Sequence, residues 1–218
     1  MHRPVLVTPP DILPVTVEDV KGYLPDTEMP DPVIEGMIQA AVDYLDGWTG
    51  ILGRCLVEQT WRQDFDAFDR ELRLPLGNVI SVASVTWRDR QGAVHTVPDT
   101  SYSARTDAAG RASVRFEAGF GFPSNLHESA AVAVTYKAGF PTIPADGSDP
   151  AKSTVPQNAK LAIVLMVQNM MATAKSEDLR SFEVHDAYTK QYSSPELIQR
   201  CRTGAVDMLL SGLRVQSI

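Results

Sequence analysis

Between Arg54 and about Ala138 the apolar residues recur at every second position, and this stretch limits the possible folds more than any other feature of the chain. Cys55, Val57, Trp61 and Phe65 alternate with Glu58, Thr60, Arg62 and Asp64, the pattern of a strand with one buried face. Leu72-Arg73-Leu74 is a short strand that Pro75 ends. Ile80, Val82, Val85 and Trp87 lead into Asp89-Arg90-Gln91-Gly92, and Ala93–Val97 return, a hairpin with glycine at a turn position. Tyr102–Arg105 and Ala112–Phe116 flank Asp107-Ala108-Ala109-Gly110 in the same way. With Ala130–Tyr136 these short strands imply an antiparallel sheet or small sandwich.

Helices are predicted on both sides. Thr16-Val17-Glu18-Asp19 reads as a helix start, with Thr16 as N-cap and Asp19 at N3. Asp31-Pro32 opens a second helix, Asp31 as cap and Pro32 in the first turn. Ile34, Met37, Ile38, Ala41, Leu45 and Trp48 share one face of it, and Gly50 is the expected stop. Pro156 opens a third helix to about Ala174, apolar all round from Leu161 to Val167, so buried on most sides or packed between subunits. Ser194-Pro195-Glu196 opens a last helix with Ile198, Cys201, Ala205, Met208 and Leu209 on one face. The predicted class is α+β: N-terminal helices, a central antiparallel β-sheet or small sandwich, and two C-terminal helices. We read residues 1–218 as a single domain: an acidic helical part (1–53), a β-rich part (54–140) and a C-terminal helical part (155–218) with an extended loop and tail.

The charge is uneven. The chain carries a net charge of −7, yet Asp11–Gly53 alone holds nine acids and one base, Lys21, so all the excess sits there. Such a surface is a solvated helix face, a dock for a basic partner, or the lining of a path that a polyanion such as DNA must traverse without sticking. Glu28, Asp31, Glu35, Asp43 and Asp46 are its candidate residues. The Lys175–Ser193 segment is long for a loop and carries Phe182, Val184, Tyr188 and Tyr192 among charges. Phe182-Glu183-Val184-His185 alternates like a strand, so it reads either as an ordered surface loop or as a strand for another chain's sheet edge.

Catalytic chemistry finds little support. Gly119-Phe120-Gly121 has the first two glycines of a dinucleotide fingerprint, but Ser124 holds the third position and no helix follows. His127-Glu128 lacks the second histidine of HExxH, and no serine sits in GxSxG. Cys55 and Cys201 have no neighbouring histidine and read as reduced, buried thiols. Asp64, Asp66 and Asp69 form either a solvated sheet edge or the carboxylates of a metal-dependent hydrolase. We expect no catalytic, cofactor or metal residues. The longest apolar run, Leu161–Val167, is short of the ~20 residues that cross a bilayer, and the first residues lack the apolar core of a signal peptide. We therefore expect no membrane partner and assembly in the cytoplasm.

An ordered set of segments adds to this reading: Val17–Leu24 (VEDVKGYL), Ile38–Gly50 (IQAAVDYLDGWTG), Gln59–Trp61 (QTW), Leu72–Pro75 (LRLP), Val82–Val85 (VASV), Val134–Phe140 (VTYKAGF) and Val155-Pro156. Together they resemble the head–tail connector, or adaptor, family of long-tailed bacteriophages and phage-derived gene transfer agents. The match runs over about residues 14–175; the Thr142–Thr154 loop and Lys175–Ser193 depart from the pattern. The resemblance implies a non-enzymatic, ring-forming structural subunit, expected to be dodecameric. It would sit below the portal protein of a phage or gene transfer agent particle, extend the DNA channel, and give the stopper or tail a place to attach. DNA would pass without specific recognition. Family members reach toward the portal with the last helix and tail, here Leu209, Leu213, Val215 and Ile218. Phe182, Val184, Tyr188 and Tyr192 would form an inter-subunit loop, and the five acids above would face the channel. The rival reading is a β-rich tail or baseplate module that binds a glycan or protein, with Trp61, Trp87 and Tyr102 as its platform.

Overall fold

The computed structural model describes residues 2–25, 27–108, 110–146, 151–177 and 195–214. Among them are ten strands, β1 (Val5–Thr8), β2 (Gln59–Phe65), β3 (Glu71–Arg73), β4 (Val79–Arg88), β5 (Val94–Thr96), β6 (Tyr102–Thr106), β7 (Ala112–Phe116), β8 (Val132–Ala138), β9 (Thr142–Ile143) and β10 (Lys152–Ser153). Four helices accompany them, α1 (Val17–Tyr23), α2 (Asp31–Leu45), α3 (Gln157–Glu177) and α4 (Pro195–Leu210). The class is α+β, with helices toward both ends and antiparallel sheets between them, as the periodicity predicts. Two compact units form. One takes the residues up to Ile12 and Leu45–Val155; the other takes Leu13–Tyr44 and Pro156–Arg214.

The first unit holds a five-stranded antiparallel sheet, β1-β2-β8-β4-β5, and a three-stranded one, β3-β7-β6. Their apolar positions form one core. Ala112, Val114 and Phe116 of β7 and Val132, Val134, Tyr136 and Ala138 of β8 are buried in it, with Trp61, Phe65, Leu72 and Val85. Alternation along β7 and β8 makes this possible, because period two puts Ala112, Val114 and Phe116, and Val132, Val134, Tyr136 and Ala138, each on one face of its strand. Phe68, Phe116, Phe120 and Phe122 close one part, with Phe116 and Phe120 stacked at 5.1 Å. Gly119-Phe120-Gly121 therefore serves packing.

The second unit is helical. Thr16 Oγ1 accepts the Asp19 N–H at 3.1 Å while the Thr16 N–H donates to Asp19 Oδ2 at 2.9 Å, the expected capping box. No side chain from Asn158 to Met171 is exposed, as the unbroken apolar run of α3 requires. Asn158 Nδ2 donates to the Leu209 carbonyl at 3.0 Å and ties α3 to α4. No helix among the described residues is long and apolar enough to cross a membrane.

Five details differ from the sequence reading. Val5–Thr8 forms an edge strand where none was predicted. Thr142–Pro156 contains the small β9–β10 hairpin. The Pro30 carbonyl accepts the Val33 and Ile34 N–H groups, so α2 starts before an Asp31 cap allows, and Asp31 pairs instead with Lys21. α2 also stops at Leu45, ahead of Gly50: Gly47 takes φ +73° and donates its N–H to the Arg54 carbonyl. Trp48 consequently lies outside the helix and is exposed. Finally, Met208 is not on the inner face of α4 but 73% exposed, while Leu210 and Leu213 are buried. At the end of α4 Leu210 takes the inward place expected of Met208.

Candidate functional site

Among the described residues no three His, Cys, Asp or Glu side chains come together as a metal site. The three aspartates of the hydrolase reading go to separate partners. Asp64 takes Arg62 at 3.0 Å, Asp66 takes His2 at 2.7 Å and the Ala130 N–H at 3.0 Å, and Asp69 takes the Arg70 N–H at 2.6 Å. The Ala130 N–H, then His2, hold the Asp66 carboxyl below the usual range. Cys55 is buried, and burial, then the Asp46 charge, push its thiol up, so it stays protonated. Cys201 has no described side chain.

Burial removes Trp61 from the platform reading. Trp61 is a core residue whose Nε1 donates to Gln59 Oε1 at 3.1 Å. Trp87 and Tyr102 are half-buried against the same core. Trp87 stacks on His95 with centroids 4.3 Å apart, and His95 Nε2 meets Asp89 Oδ2 at 2.9 Å. Asp89 also accepts the Gln91 and Ala93 N–H groups and so organises the β4–β5 turn. The His95 contact, then these two N–H groups, keep the Asp89 carboxyl below its ordinary value. A depressed carboxyl contributes stability above its unfolded pKa of about 4 and loses it as pH falls through the folded value. The Asp89→Asn variant should accordingly lose less of its urea midpoint than the parent between pH 6 and pH 3, although it starts lower.

The candidate surfaces are charged. Asp31, Glu35, Gln39 and Asp43 follow one another at four-residue spacing along α2, and all are exposed. α2 contains no basic residue. Like charges at i,i+4 repel, and an acid in the last turn opposes the helix dipole, each by a few tenths of a kcal/mol. Gln39 Nε2 donates to Asp43 Oδ1 at 2.7 Å. Glu28 is exposed as well. Asp46 is different: its carboxylate takes the Leu56 N–H and, at 2.7 Å, Gln59 Nε2, so it joins the helix exit to β2 inside its own chain. It is not part of the exposed acidic row.

The opposite charge gathers on the outer face of the three-stranded sheet. Pairing sets Arg73 of β3 and Arg105 of β6 on either side of Ser113 of β7, and Arg115 between Glu71 and Ser103. Arg111 shares the outward parity of β7. An open cleft of about 720 Å³ runs here, its charged lining Glu71, Arg73, Arg105, Asp107 and Arg111. Sequence reading missed this face, since only strand pairing assembles it; the outward arginines of Arg111-Ala112-Ser113-Val114-Arg115 were the available signal.

Of the C-terminal residues, Leu209 is half-buried and Leu213 is covered within its own chain at 8% exposure. Leu213 is therefore not an exposed docking residue in this structure, and among the described side chains of α4 Met208 is the large apolar one that is exposed. Val215, Ile218, Phe182, Val184, Tyr188 and Tyr192 lie outside the described residues.

No protein-family model matches the chain, and no curated protein matches it. Solved structures do. The chain is similar to one in the neck of an empty gene transfer agent particle computed with C6 symmetry, with TM-score 0.65 and 18% identity. It is similar to one in the neck of the native particle computed with C12 symmetry, at 0.64 and 19%, and to one in the virion of the native gene transfer agent, at 0.63 and 18%. Each match covers 100% of this chain and 97% of the other. The shared feature is the fold. It extends over both units and beyond the segments that carry the sequence resemblance.

Proposed function

We propose that this chain is a structural subunit of the neck of a phage-like or gene transfer agent particle, one copy of a ring between the portal protein and the stopper or tail. The observation that carries this reading is the whole-length likeness of fold to chains in necks computed with C6 and C12 symmetry. The ordered sequence segments support it independently. So does the chemistry, because Asp64, Asp66, Asp69, Cys55, Trp61 and Trp87 are each committed to the chain's own packing or hydrogen bonds. In this role the chain performs no catalysis; it supplies a channel wall and two attachment faces. Met208 is proposed to take part in docking from α4, in place of Leu213.

A deletion tests the role in the particle. Cells that lack the chain should accumulate DNA-filled heads and separate tails, seen by electron microscopy, and the chain supplied in trans should rejoin them. Joined particles without the chain would contradict the reading.

A further inference from the structure

We infer that the arginine face of the three-stranded sheet receives the acidic row of α2 from a second copy of this chain. The inference rests on the ring reading above and names the contact that would build the ring. The arginine face has Arg73, Arg105, Arg111 and Arg115 outward against two acids, Glu71 and Asp107, in a chain whose net charge is −7. The α2 row is acidic without a base in the helix. One pair of charges on each patch is similarly spaced: Arg73 and Arg105 stand two strands apart, roughly 10 Å, and Glu35 and Asp43 are eight residues apart on a helix, roughly 12 Å. Each copy carries one patch of each sign, so every contact uses two different surfaces. Such a head-to-tail contact closes into a ring when the rotation per copy divides a full turn. Nucleic acid is the other polyanion that fits arginines, but the acidic row supplies a partner at equal copy number.

Two double variants test the contact. The first, Arg73→Glu with Arg105→Glu, has both patches acidic. The second, Glu35→Lys with Asp43→Lys, has both patches basic. All four side chains are exposed, so circular dichroism and melting should stay near the parent. Light scattering and sedimentation at low salt should show parent assembly. Each variant alone should associate at least about tenfold more weakly, while their equimolar mixture should regain assembly, since each supplies the charge the other lacks. Salt near 0.5 M should weaken parent and mixture alike. Equal assembly by both variants alone would overturn the contact and leave the neck reading standing; it is also the outcome if the acidic row faces the channel. No association by parent or mixture, with or without portal protein, would remove both. If instead a short DNA duplex binds the parent tightly, is lost with Arg73→Glu and Arg105→Glu, and the mixture stays unassembled, the arginine face is a nucleic-acid surface and the inference is wrong.

Discussion

Replacing Gly139 with alanine should destabilise the first unit by more than about 3 kcal/mol. Gly139 sits at φ +118°, and an added Cβ would collide with the Val57 carbonyl group and come within 2.8 Å of the Glu58 nitrogen. Backbone lies on that side, so no rotamer change relieves it. The residue also ends β8 at a junction: its N–H donates to the Asn78 carbonyl at 2.8 Å, and the Phe140 N–H donates to the Leu56 carbonyl at 3.0 Å. Gly92→Ala is the control. Gly92 takes φ +84° in the β4–β5 turn with nothing near a Cβ, so it should lose only about 1–2 kcal/mol for the left-handed backbone. Thermal melting separates the two, because each kcal/mol shifts the midpoint by about 2–4 °C at this size. Equal shifts would show that the collision is absent.

The second large effect is expected at Trp61. It is 8% exposed, lies against Gly47, and donates its indole N–H to Gln59, which in turn donates to Asp46. Trp61→Ala should lose about 3–5 kcal/mol and leave the Gln59 carbonyl oxygen short of a donor. Trp87→Ala removes a half-buried ring and its stack on His95 and should lose about 1–2 kcal/mol. Urea unfolding followed by circular dichroism measures both. A Trp61 variant as stable as the Trp87 variant would return Trp61 to the surface and revive the platform reading.

How much of this was legible in the sequence depended on the range of the forces involved. The Thr16 capping box, the Gly92 turn and the alternation of β7 and β8 are set within a few residues, and each was readable. β1 was not, because Val5–Thr8 is short and apolar without alternation and becomes a strand only by pairing with β2, far along the chain. The end of α2 was misread because Asp46-Gly47 leaves the helix through hydrogen bonds to Arg54, Leu56 and Gln59, which the local pattern does not show. Two glutamines, Gln59 and Gln63, lie inward beside Trp61 and Phe65. Period two places them there, and only the structure shows their amide nitrogens donating to Asp46, the Val57 carbonyl, the His2 carbonyl and the Asp64 carbonyl, while Gln63 Oε1 is buried without a partner among the described residues. The acidic row of α2 was visible as composition, but the arginine face opposite in charge needed three paired strands to exist.

The central claim is that copies of this chain form a ring on the portal protein. The most direct measurement is the mass of the complex formed when the purified chain is mixed with the portal protein of the same particle, by size exclusion with light scattering and electron microscopy of the product. The expected product is a stoichiometric ring of this chain seated on the portal, with twelve copies if it follows the C12 neck. A chain that stays monomeric with portal present, at concentrations well above micromolar, would contradict it.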